Sequence, residues 1–415
     1  MGGYVEGLRC ISCGRSFSLD HPHYACTSCG GLLDVTYDYS ELEGQSLLAK
    51  WSRRPMGVWR YRELLPADHS MAVTLGEGGT GLHRCIRLGG ALGLKRLFVK
   101  NEGENPTGSF KDRGMTVGVT RALELGVKAT ACASTGNTSA SLAAYSARAG
   151  LACLVLVPSG RIARGKLVQA IAHGAKVVAI KGGFDDALRE VRRLCEGRKL
   201  YLLNSINPFR LEGQKTLAYE VYEQLGHQAP DVVVVPVGNA GNISAIWKGF
   251  KELRALGLIE RAPRMMGVQA EGASPFASMI REGRETLIPV ERPETVASAI
   301  RIGSPVNWPK ARAAVLESGG WAVVVSDQEI IEAQRRLARL EGLFVEPASA
   351  ASIAGLARLI EEGLVDRDET VVCVATGHGL KDPDVVLSHY EGAVEVEPER
   401  VESYVDELLR GVGGG

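Results

Sequence analysis

Residues 105–113 read NPTGSFKDR, and this stretch places Lys111 where a loop is expected to open into a helix. Neighbouring groups at such a turn can shield an amine from water, which lowers its pKa and makes it nucleophilic. Lys111 is therefore a candidate for forming a Schiff base with an aldehyde. The ordinary alternative is a solvated lysine in a first helical turn, so the interpretation depends on the other segments of the chain.

Short apolar runs alternate with helical patterns along most of the sequence. This alternation favours an α/β fold, with parallel sheets covered by helices on both faces. We expect two open, twisted, largely parallel sheets, with glycine and hydroxyl loops at the strand ends where such sheets place their ligands. The expected strands are 96–100, 129–133, 152–157, 175–180, 200–203, 232–237, 265–270, 321–325 and 370–375.

A cluster of hydroxyl and amide side chains follows the strand expected at 129–133. Backbone N–H groups at a helix start attract anions, so a substrate carboxylate could dock on Ser134, Thr135 and Thr138. The amide of Asn137 could hydrogen-bond the phenolic oxygen of pyridoxal phosphate, the commonest aldehyde cofactor. Helix capping is the alternative, and it explains one or two of these residues but not the whole cluster.

Two glycine loops follow later strands. The first reads GNAGN and forms a candidate phosphate cradle of Gly238, Asn239, Ala240, Gly241 and Asn242, although it matches neither the dinucleotide fingerprint nor the Walker lysine pattern. In the second loop, Thr376 ends a strand and could face a pyridine nitrogen. A hydroxyl partner would leave that nitrogen largely unprotonated, which suits elimination and replacement better than transamination.

The order of these segments is similar to that in the threonine synthase family, within the pyridoxal-phosphate enzymes of the tryptophan-synthase β fold type. The resemblance covers about residues 59–384. The segments that carry it are 74–80 (TLGEGGT), 105–113, 134–139, 204–216 (NSINPFRLEGQKT), 238–242, 299–308 (AIRIGSPVNW) and 376–382 (TGHGLKD).

The resemblance implies a role for each matching residue. It makes Lys111 the Schiff-base lysine and proton shuttle, and it places Asn137 at the ring hydroxyl, residues 238–242 at the cofactor phosphate and Thr376 at the ring nitrogen. The implied activity is that of a lyase, which converts O-phospho-L-homoserine and water to L-threonine and phosphate by γ-elimination and β-hydration.

The resemblance also places Ser205, Asn207 and Arg210 toward the substrate phosphate. A guanidinium fork suits a phosphate dianion. The alternative for Arg210 is a surface arginine that precedes a helix over 211–225.

Two alternative functions stay open. A sister enzyme on the same fold would be a cysteate synthase that uses O-phosphoserine and sulfite, or a serine/threonine dehydratase. A catalytically silent protein that binds a partner is the third interpretation, and the presence of Lys111, Asn137 and Thr376 argues against it.

By the same resemblance, the cofactor lies in a cleft between two domains. Residues 104–203 would form a smaller mobile domain, and residues 46–103 and 204–390 a larger one, with a C-terminal tail at 391–415. A homodimer is also expected from the family.

Cysteine spacing predicts a small metal module at residues 1–45. Cys10, Cys13, Cys26 and Cys29 form two CxxC pairs separated by twelve residues, a spacing typical of a zinc ribbon. Four thiolates would make this zinc structural, since they leave no open position. Disulfides are the alternative, and the remaining five cysteines are interpreted as small core residues.

Composition excludes several classes of protein. The chain has 48 basic and 48 acidic residues in 415, so no net charge favours binding of nucleic acid or an anionic membrane. No apolar run approaches the roughly 18 residues that span a bilayer, and we expect a soluble cytoplasmic protein. Few Asn and Gln residues, with abundant Arg and Glu, indicate a thermophilic source.

Overall fold

The computed structural model describes residues 4–159, 164–195, 200–390 and 392–412. The strands lie at Val5–Cys10 (β1), Ser16–Phe17 (β2), Leu33–Tyr37 (β3), Leu82–Arg84 (β4), Arg96–Asn101 (β5), Ala129–Ala133 (β6), Ala152–Pro158 (β7), Lys176–Ile180 (β8), Leu200–Leu202 (β9), Val232–Pro236 (β10), Arg264–Ala270 (β11), Trp321–Val325 (β12) and Thr370–Ala375 (β13). All nine expected strands are present, each within one residue of its expected bounds.

Helices fill most of the intervals between the strands. They lie at Gly44–Trp51 (α1), Ile86–Leu92 (α2), Lys111–Glu124 (α3), Asn137–Arg148 (α4), Arg164–Ala172 (α5), Phe184–Cys195 (α6), Pro208–Gln214 (α7), Thr216–Gln224 (α8), Gly241–Ala255 (α9), Pro275–Arg281 (α10), Trp308–Glu317 (α11), Asp327–Glu341 (α12), Pro347–Glu361 (α13), Pro383–His389 (α14) and Val401–Val412 (α15).

The expected helix over 211–225 is wrong in its bounds. The structure has two helices there, and α7 begins at Pro208, so Arg210 lies inside a helix. Asn207 accepts a hydrogen bond from the N–H of Phe209 and caps α7, and proline is favoured in a first helical turn. These two residues start the helix earlier than its apolar pattern indicates.

The larger sheet has the strand order β12-β11-β10-β13-β5-β4, and only β4 is antiparallel to its neighbour. Its central strand β10 is buried on both faces. Val233 and Val235 pack in one apolar cluster with α9, whereas Val232 and Val234 pack in another with α13. A strand covered by helices on both sides has a continuous apolar sequence, and the run of four valines in β10 has this character.

The smaller sheet has the order β8-β7-β6-β9 and is parallel throughout. Helices α3 and α4 cover one face and α6 covers the other. Strand β9 is an edge strand, and the chain leaves it toward α7 through residues 203–207. These two sheets confirm the expected α/β fold class.

A third sheet, β2-β1-β3, is antiparallel and belongs to the N-terminal residues. It carries Cys10 at the end of β1. The five other cysteines are all buried, as expected for core residues.

The chain separates into two compact units at Asp382 and Pro383. The second unit contains α14 and α15, and α15 lies within the segment predicted as a C-terminal tail. Of the predicted segments, residues 1–3, 160–163, 196–199, 391 and 413–415 lie outside the described residues. Within the described ranges, the structure has no helix that is both long and apolar enough to cross a bilayer.

Candidate active site

Lys111 is the first residue of α3, as the loop-to-helix pattern predicted. The preceding loop is hydrogen-bonded to the loop that follows β13. The N–H of Phe110 donates to the carbonyl oxygen of Thr376 at 3.0 Å, and Ser109 pairs with Gly377 in an isolated β-bridge. Two segments more than 260 positions apart in sequence are thereby brought together at the start of α3.

Lys111 is half-buried, and its ammonium nitrogen lies 4.1 Å from the centre of the Phe110 ring. Removal from water and, to a smaller extent, the positive charge of Arg210 together lower the pKa of Lys111 from 10.5 to about 7. The carboxylate of Glu346 acts in the opposite direction. A substantial fraction of this amine is therefore neutral near pH 7.

The first turn of α3 is held by the residue that follows the lysine. Asp112 is buried, and its carboxylate accepts hydrogen bonds from the N–H and hydroxyl of Thr107 at 2.7 and 2.6 Å and from Ser141 at 2.5 Å. Burial raises the pKa of Asp112 to about 6 in spite of these bonds. This carboxylate fixes the loop to α3 and to α4.

Asn137 and Thr376 converge on a third residue that sequence reasoning missed. Glu346 is buried, and its carboxylate accepts hydrogen bonds from the Asn137 amide at 3.0 and 3.2 Å and from the Thr376 hydroxyl at 3.1 Å. Burial raises the pKa of Glu346. The two residues predicted to contact opposite sides of a pyridoxal ring are thus joined through one carboxylate.

Sequence offered no direct signal for Glu346. It precedes Pro347 at the start of α13, outside every segment that carried the resemblance. Its backbone pairs with the loop after β13, because the N–H of Glu346 donates to the carbonyl oxygen of Gly377 at 3.0 Å. Long-range pairing of this kind brings Glu346 to the site.

The predicted phosphate cradle lies between β10 and the start of α9. A side chain at Gly238 would lie 3.0 Å from the carbonyl oxygen of Ala299, so the loop packs tightly against residues 299–300. Ala240 has a positive φ of 62°, which is uncommon for a residue with a side chain. Both polar atoms of the Asn242 amide are buried and have no hydrogen-bond partner in the described part of the chain. The Asn242 amide is therefore available to hydrogen-bond a ligand in this loop.

The residues predicted to bind a carboxylate lie at the start of α4. Ser134, Thr135 and Thr138 are all half-buried, and the Ser134 hydroxyl accepts a hydrogen bond from the N–H of Gly136 at 3.2 Å. Asn137, the first residue of the helix, lies between them and is buried.

Arg210 is fully buried and has few partners. Its guanidinium donates one hydrogen bond, to the carbonyl oxygen of Leu203 at 3.1 Å, and its Nε is buried without a partner among the described residues. The same residues offer it no carboxylate at ion-pair distance. Burial lowers the pKa of Arg210 to about 10. The alternative of a surface arginine is therefore wrong, and the charge of Arg210 lowers the pKa of Lys111.

The other two residues predicted at the substrate phosphate lie beside Arg210 in sequence. The Asn207 amide accepts from the N–H of Phe209 and donates to the carbonyl oxygen of Leu202 at 2.8 Å, so its hydrogen bonds serve the local fold. Ser205 is half-buried, and its carbonyl oxygen accepts from the Asn307 amide at 2.9 Å.

The four N-terminal cysteines form a separate cluster. Their sulfur atoms all lie within 4.8 Å of one another, with Cys10 and Cys29 at 3.5 Å and Cys13 and Cys26 at 3.6 Å. These separations exceed a disulfide bond and approach the roughly 3.8 Å expected between thiolates that share a tetrahedral zinc. The donor set is therefore suited to a structural metal.

Several solved structures share this fold. The processed form of threonine deaminase isoform 2 from Solanum lycopersicum matches 83% of this chain and 92% of its own length, with a TM-score of 0.64 at 21% identity. An L-serine ammonia-lyase from Rhizomucor miehei matches 75% and 98%, also with a TM-score of 0.64 at 21% identity. At this identity the likeness establishes the fold.

Sequence relatives are much closer. The family described as pyridoxal-phosphate dependent enzyme matches residues 73–377. A threonine synthase from Methanocaldococcus jannaschii is 60% identical over 94% of this chain and 96% of that relative, and one from Methanosarcina acetivorans is 54% identical over 98% of each. A threonine synthase from Mycobacterium tuberculosis is 53% identical over 84% of this chain and 95% of that relative. The chain belongs to the threonine synthase family of pyridoxal-phosphate dependent enzymes.

Proposed function

We propose that the protein converts O-phospho-L-homoserine and water to L-threonine and inorganic phosphate. The observation that carries this proposal is Arg210, a buried guanidinium without a carboxylate partner in the described residues, close enough to lower the pKa of Lys111. A buried charge without a partner is costly unless a ligand completes it. A phosphorylated substrate supplies the missing anion beside the reactive amine.

The residues present fit pyridoxal phosphate. The unused amide of Asn242 and the tightly packed Gly238 suit a phosphate that approaches backbone N–H groups. When bound, the cofactor supplies an electron-withdrawing ring that stabilises negative charge on the substrate carbon next to the amino group. The residues that would hold it are Lys111, Asn137, Gly238, Asn239, Ala240, Gly241, Asn242 and Thr376.

Lys111 has the properties of a proton shuttle. Because its pKa is about 7, its Nζ can accept a proton at neutral pH and return it later in the cycle. We assign it the removal of the Cα proton and then of a Cβ proton, before phosphate leaves from Cγ and water adds at Cβ. The hydrogen bonds of Asp112 to Thr107 and Ser141 keep the lysine in place between these transfers.

Glu346 orients the groups around the ring. Its carboxylate receives both the Asn137 amide and the Thr376 hydroxyl, so it fixes the direction in which each of them presents a hydrogen bond. The hydroxyl of Ser349 lies 3.0 Å from that of Thr376 and completes this chain of contacts. Thr376 would thereby meet the ring nitrogen with a hydroxyl.

The two ends of the substrate would meet different groups. Ser134, Thr135 and Thr138, at the start of α4, would bind the carboxylate. Arg210 would bind the phosphate and stabilise the charge that develops as it leaves. Direct contacts of Ser205 and Asn207 with the phosphate stay predictions. The Asn207 amide already makes hydrogen bonds within the fold, to Leu202 and Phe209.

The test is to incubate the pyridoxal-phosphate-loaded protein with O-phospho-L-homoserine and to follow phosphate and amino acid together. Threonine that appears in step with phosphate supports the proposal. Phosphate without threonine indicates loss to a keto acid, and turnover only of O-phosphoserine with sulfite, or only of threonine or serine, would replace it with one of the sister activities. Lys111→Ala is the control for turnover that does not use the site.

The cysteine cluster is proposed to hold one structural zinc. Its support is the sulfur geometry and the small size of the module, since a segment of roughly 40 residues can bury little core of its own. We expect elemental analysis to give about one zinc per chain. A thiol titration should show four additional reactive thiols once the metal is removed. Metal-free protein with two disulfides would contradict this assignment.

The remaining features are proposed from the family resemblance and composition. These are a homodimer in the cytoplasm of a thermophile, and a mobile domain of residues 104–203 between parts 46–103 and 204–390. The separation of the two parallel sheets supports the domain division. Light scattering and a comparison of small-angle scattering with and without substrate would test assembly and closure.

A further inference from the structure

A short segment beside the residues predicted to bind the substrate phosphate joins the smaller sheet to α7. The N-terminal module contacts the elements on both sides of this segment, β9 and α7. This joining segment is residues 203–207, between β9 of the smaller sheet and α7. The N-terminal module is defined here as residues 4–45. The contacts are long-range, because 175 and 178 positions of sequence separate the partners of the two hydrogen bonds involved.

At the first end, the module holds the edge of the smaller sheet. The N–H of Leu202 points away from the neighbouring strand and donates to the hydroxyl of Tyr24 at 2.8 Å. The Tyr24 ring packs against Tyr201, with ring centres 5.8 Å apart. An edge strand otherwise presents unpaired backbone groups, so Tyr24 completes β9.

The backbone that Tyr24 holds also accepts hydrogen bonds from two of the residues predicted to bind the substrate phosphate. The carbonyl oxygen of Leu202 accepts from the Asn207 amide at 2.8 Å, and that of Leu203 accepts from Arg210 at 3.1 Å. The bond to Leu203 is the hydrogen bond that the Arg210 guanidinium makes within the described residues. A shift of β9 therefore moves the support of both side chains.

At the second end, the module holds α7. The hydroxyl of Tyr37 donates to the Glu212 carboxylate at 2.6 Å, in a buried site. Lys248 joins the same carboxylate to the carbonyl oxygen of Val35, each at 2.6 Å. Glu212 lies two residues after Arg210, so these bonds fix the short helix that presents the guanidinium.

Packing connects this second contact to the cysteine cluster. Phe209, which precedes Arg210, belongs to the apolar cluster that contains Cys10 and Cys26. Two of the four cysteines therefore share an apolar core with α7, so the N-terminal module packs directly against that helix.

We infer that the N-terminal module is a positioning element for the substrate-phosphate site, which holds the joining segment and α7 in the geometry that Arg210 needs. This inference rests on the proposed function. The module contributes no group to the reaction; it acts through the backbone of β9 and the helix α7. Its disturbance should weaken binding of phosphate groups more than it slows the chemical steps.

The test uses conservative variants of the full, cofactor-loaded chain. Tyr24→Phe, Tyr37→Phe and the double variant each remove only a hydroxyl. The matched control is Tyr39→Phe, because the Tyr39 hydroxyl belongs to the same module but bonds Glu252 on α9, at 2.8 Å. Circular dichroism and the melting temperature establish that each variant folds.

We expect the double variant to raise KM for O-phospho-L-homoserine by about three- to tenfold, and to weaken binding of inorganic phosphate, measured by calorimetry, by the same factor. Its kcat and its affinity for pyridoxal phosphate should change by less than about twofold. The control should keep wild-type values for all four.

Unchanged KM and phosphate affinity in a folded double variant would overturn the inference, as would equal losses in Tyr39→Phe. Failure of the proposed function is separate, since it would show as absence of threonine formation by the wild-type protein. Phosphate binding to the loaded wild-type and variant proteins then still decides whether the module positions an anion site.

Discussion

Arg113 and Arg210 are both fully buried, yet their surroundings differ in every respect. Arg113 donates to both oxygens of Glu102 and of Glu220 at 2.5 to 2.7 Å, and also reaches the hydroxyls of Thr80 and Thr216. Arg210 has one carbonyl oxygen and, in the described parts of the chain, no carboxylate.

The difference separates a charge that the fold compensates from one that we propose a ligand compensates. Arg113 is compensated by two carboxylates, and Lys100 pairs with Glu220 at 2.7 Å in the same network, so nothing is left for a ligand to satisfy. Among the described residues, Arg210 has one hydrogen-bond acceptor and no carboxylate for its charge, and that charge lowers the pKa of Lys111. Burial by itself does not mark a site; burial without compensation does.

The largest effect is expected at the lysine that Arg210 influences. Lys111→Ala should lower turnover of O-phospho-L-homoserine by at least about 10³-fold, because it removes the amine that is proposed to form the Schiff base and to exchange protons with the substrate. The melting temperature of the cofactor-free protein should stay close to that of wild type. Lys95→Ala, at an exposed lysine paired with Asp368, is the control and should be silent. Substantial residual turnover would remove Lys111 from the mechanism.

The structural arginine should respond in stability. Arg113→Met leaves the Glu102 and Glu220 carboxylates buried with fewer partners, and should lower the unfolding free energy by about 3 to 5 kcal/mol in denaturant titrations. Arg358→Met, at an ion pair on the surface with Glu329, should cost less than about 1 kcal/mol. If the two variants were equally stable, the network around Arg113 would not contribute as its geometry indicates.

Arg210→Met should give the reverse pattern. Removal of an uncompensated buried charge should leave the unfolding free energy within about 1 kcal/mol of wild type, or raise it. The kcat/KM for O-phospho-L-homoserine should fall by about 30- to 1000-fold, because charge-assisted hydrogen bonds to phosphate are lost. Any deaminase activity on threonine, which has no phosphate, should fall less. Equal losses on both substrates would remove Arg210 from the phosphate site.

The smallest effect concerns pH. Lys111 reacts with the cofactor only as a neutral amine, so the rate of pyridoxal phosphate uptake by cofactor-free protein should rise with pH and level off above a midpoint near 7, the lowered pKa of Lys111. Since the Arg210 charge lowers that pKa, Arg210→Met should move the midpoint to higher pH. Stopped-flow absorbance measures both. A midpoint near 10 in the wild type would contradict the burial of Lys111.

Residues near a strand or helix end could be predicted well from the sequence, and residues in long-range contacts could not. The position of Lys111 at the start of α3 was predicted from a loop and a helix start that are adjacent in sequence, and the loop at 238–242 from the buried strand that precedes it. Glu346 was missed because it reaches Asn137 and Thr376 through long-range pairing of its segment with the loop after β13, as in the hydrogen bond of its N–H to Gly377.

Arg210 shows the limit most clearly. Its residue type pointed to phosphate, but the sequence left open whether it lies on the surface. The cap at Asn207 and Pro208 decides that Arg210 lies within α7, and the packing of Phe209 against the N-terminal module decides that this helix is buried.

The sequence alone determined the strands, the order of the loops, the cysteine spacing and the membership of a family, because each of these depends on residues that are close together along the chain. The tertiary structure decided which charges are compensated, what lowers the pKa of Lys111, and which module supports α7. Charge compensation depends on the distance and the dielectric between groups that the fold brings together, and no local pattern specifies either.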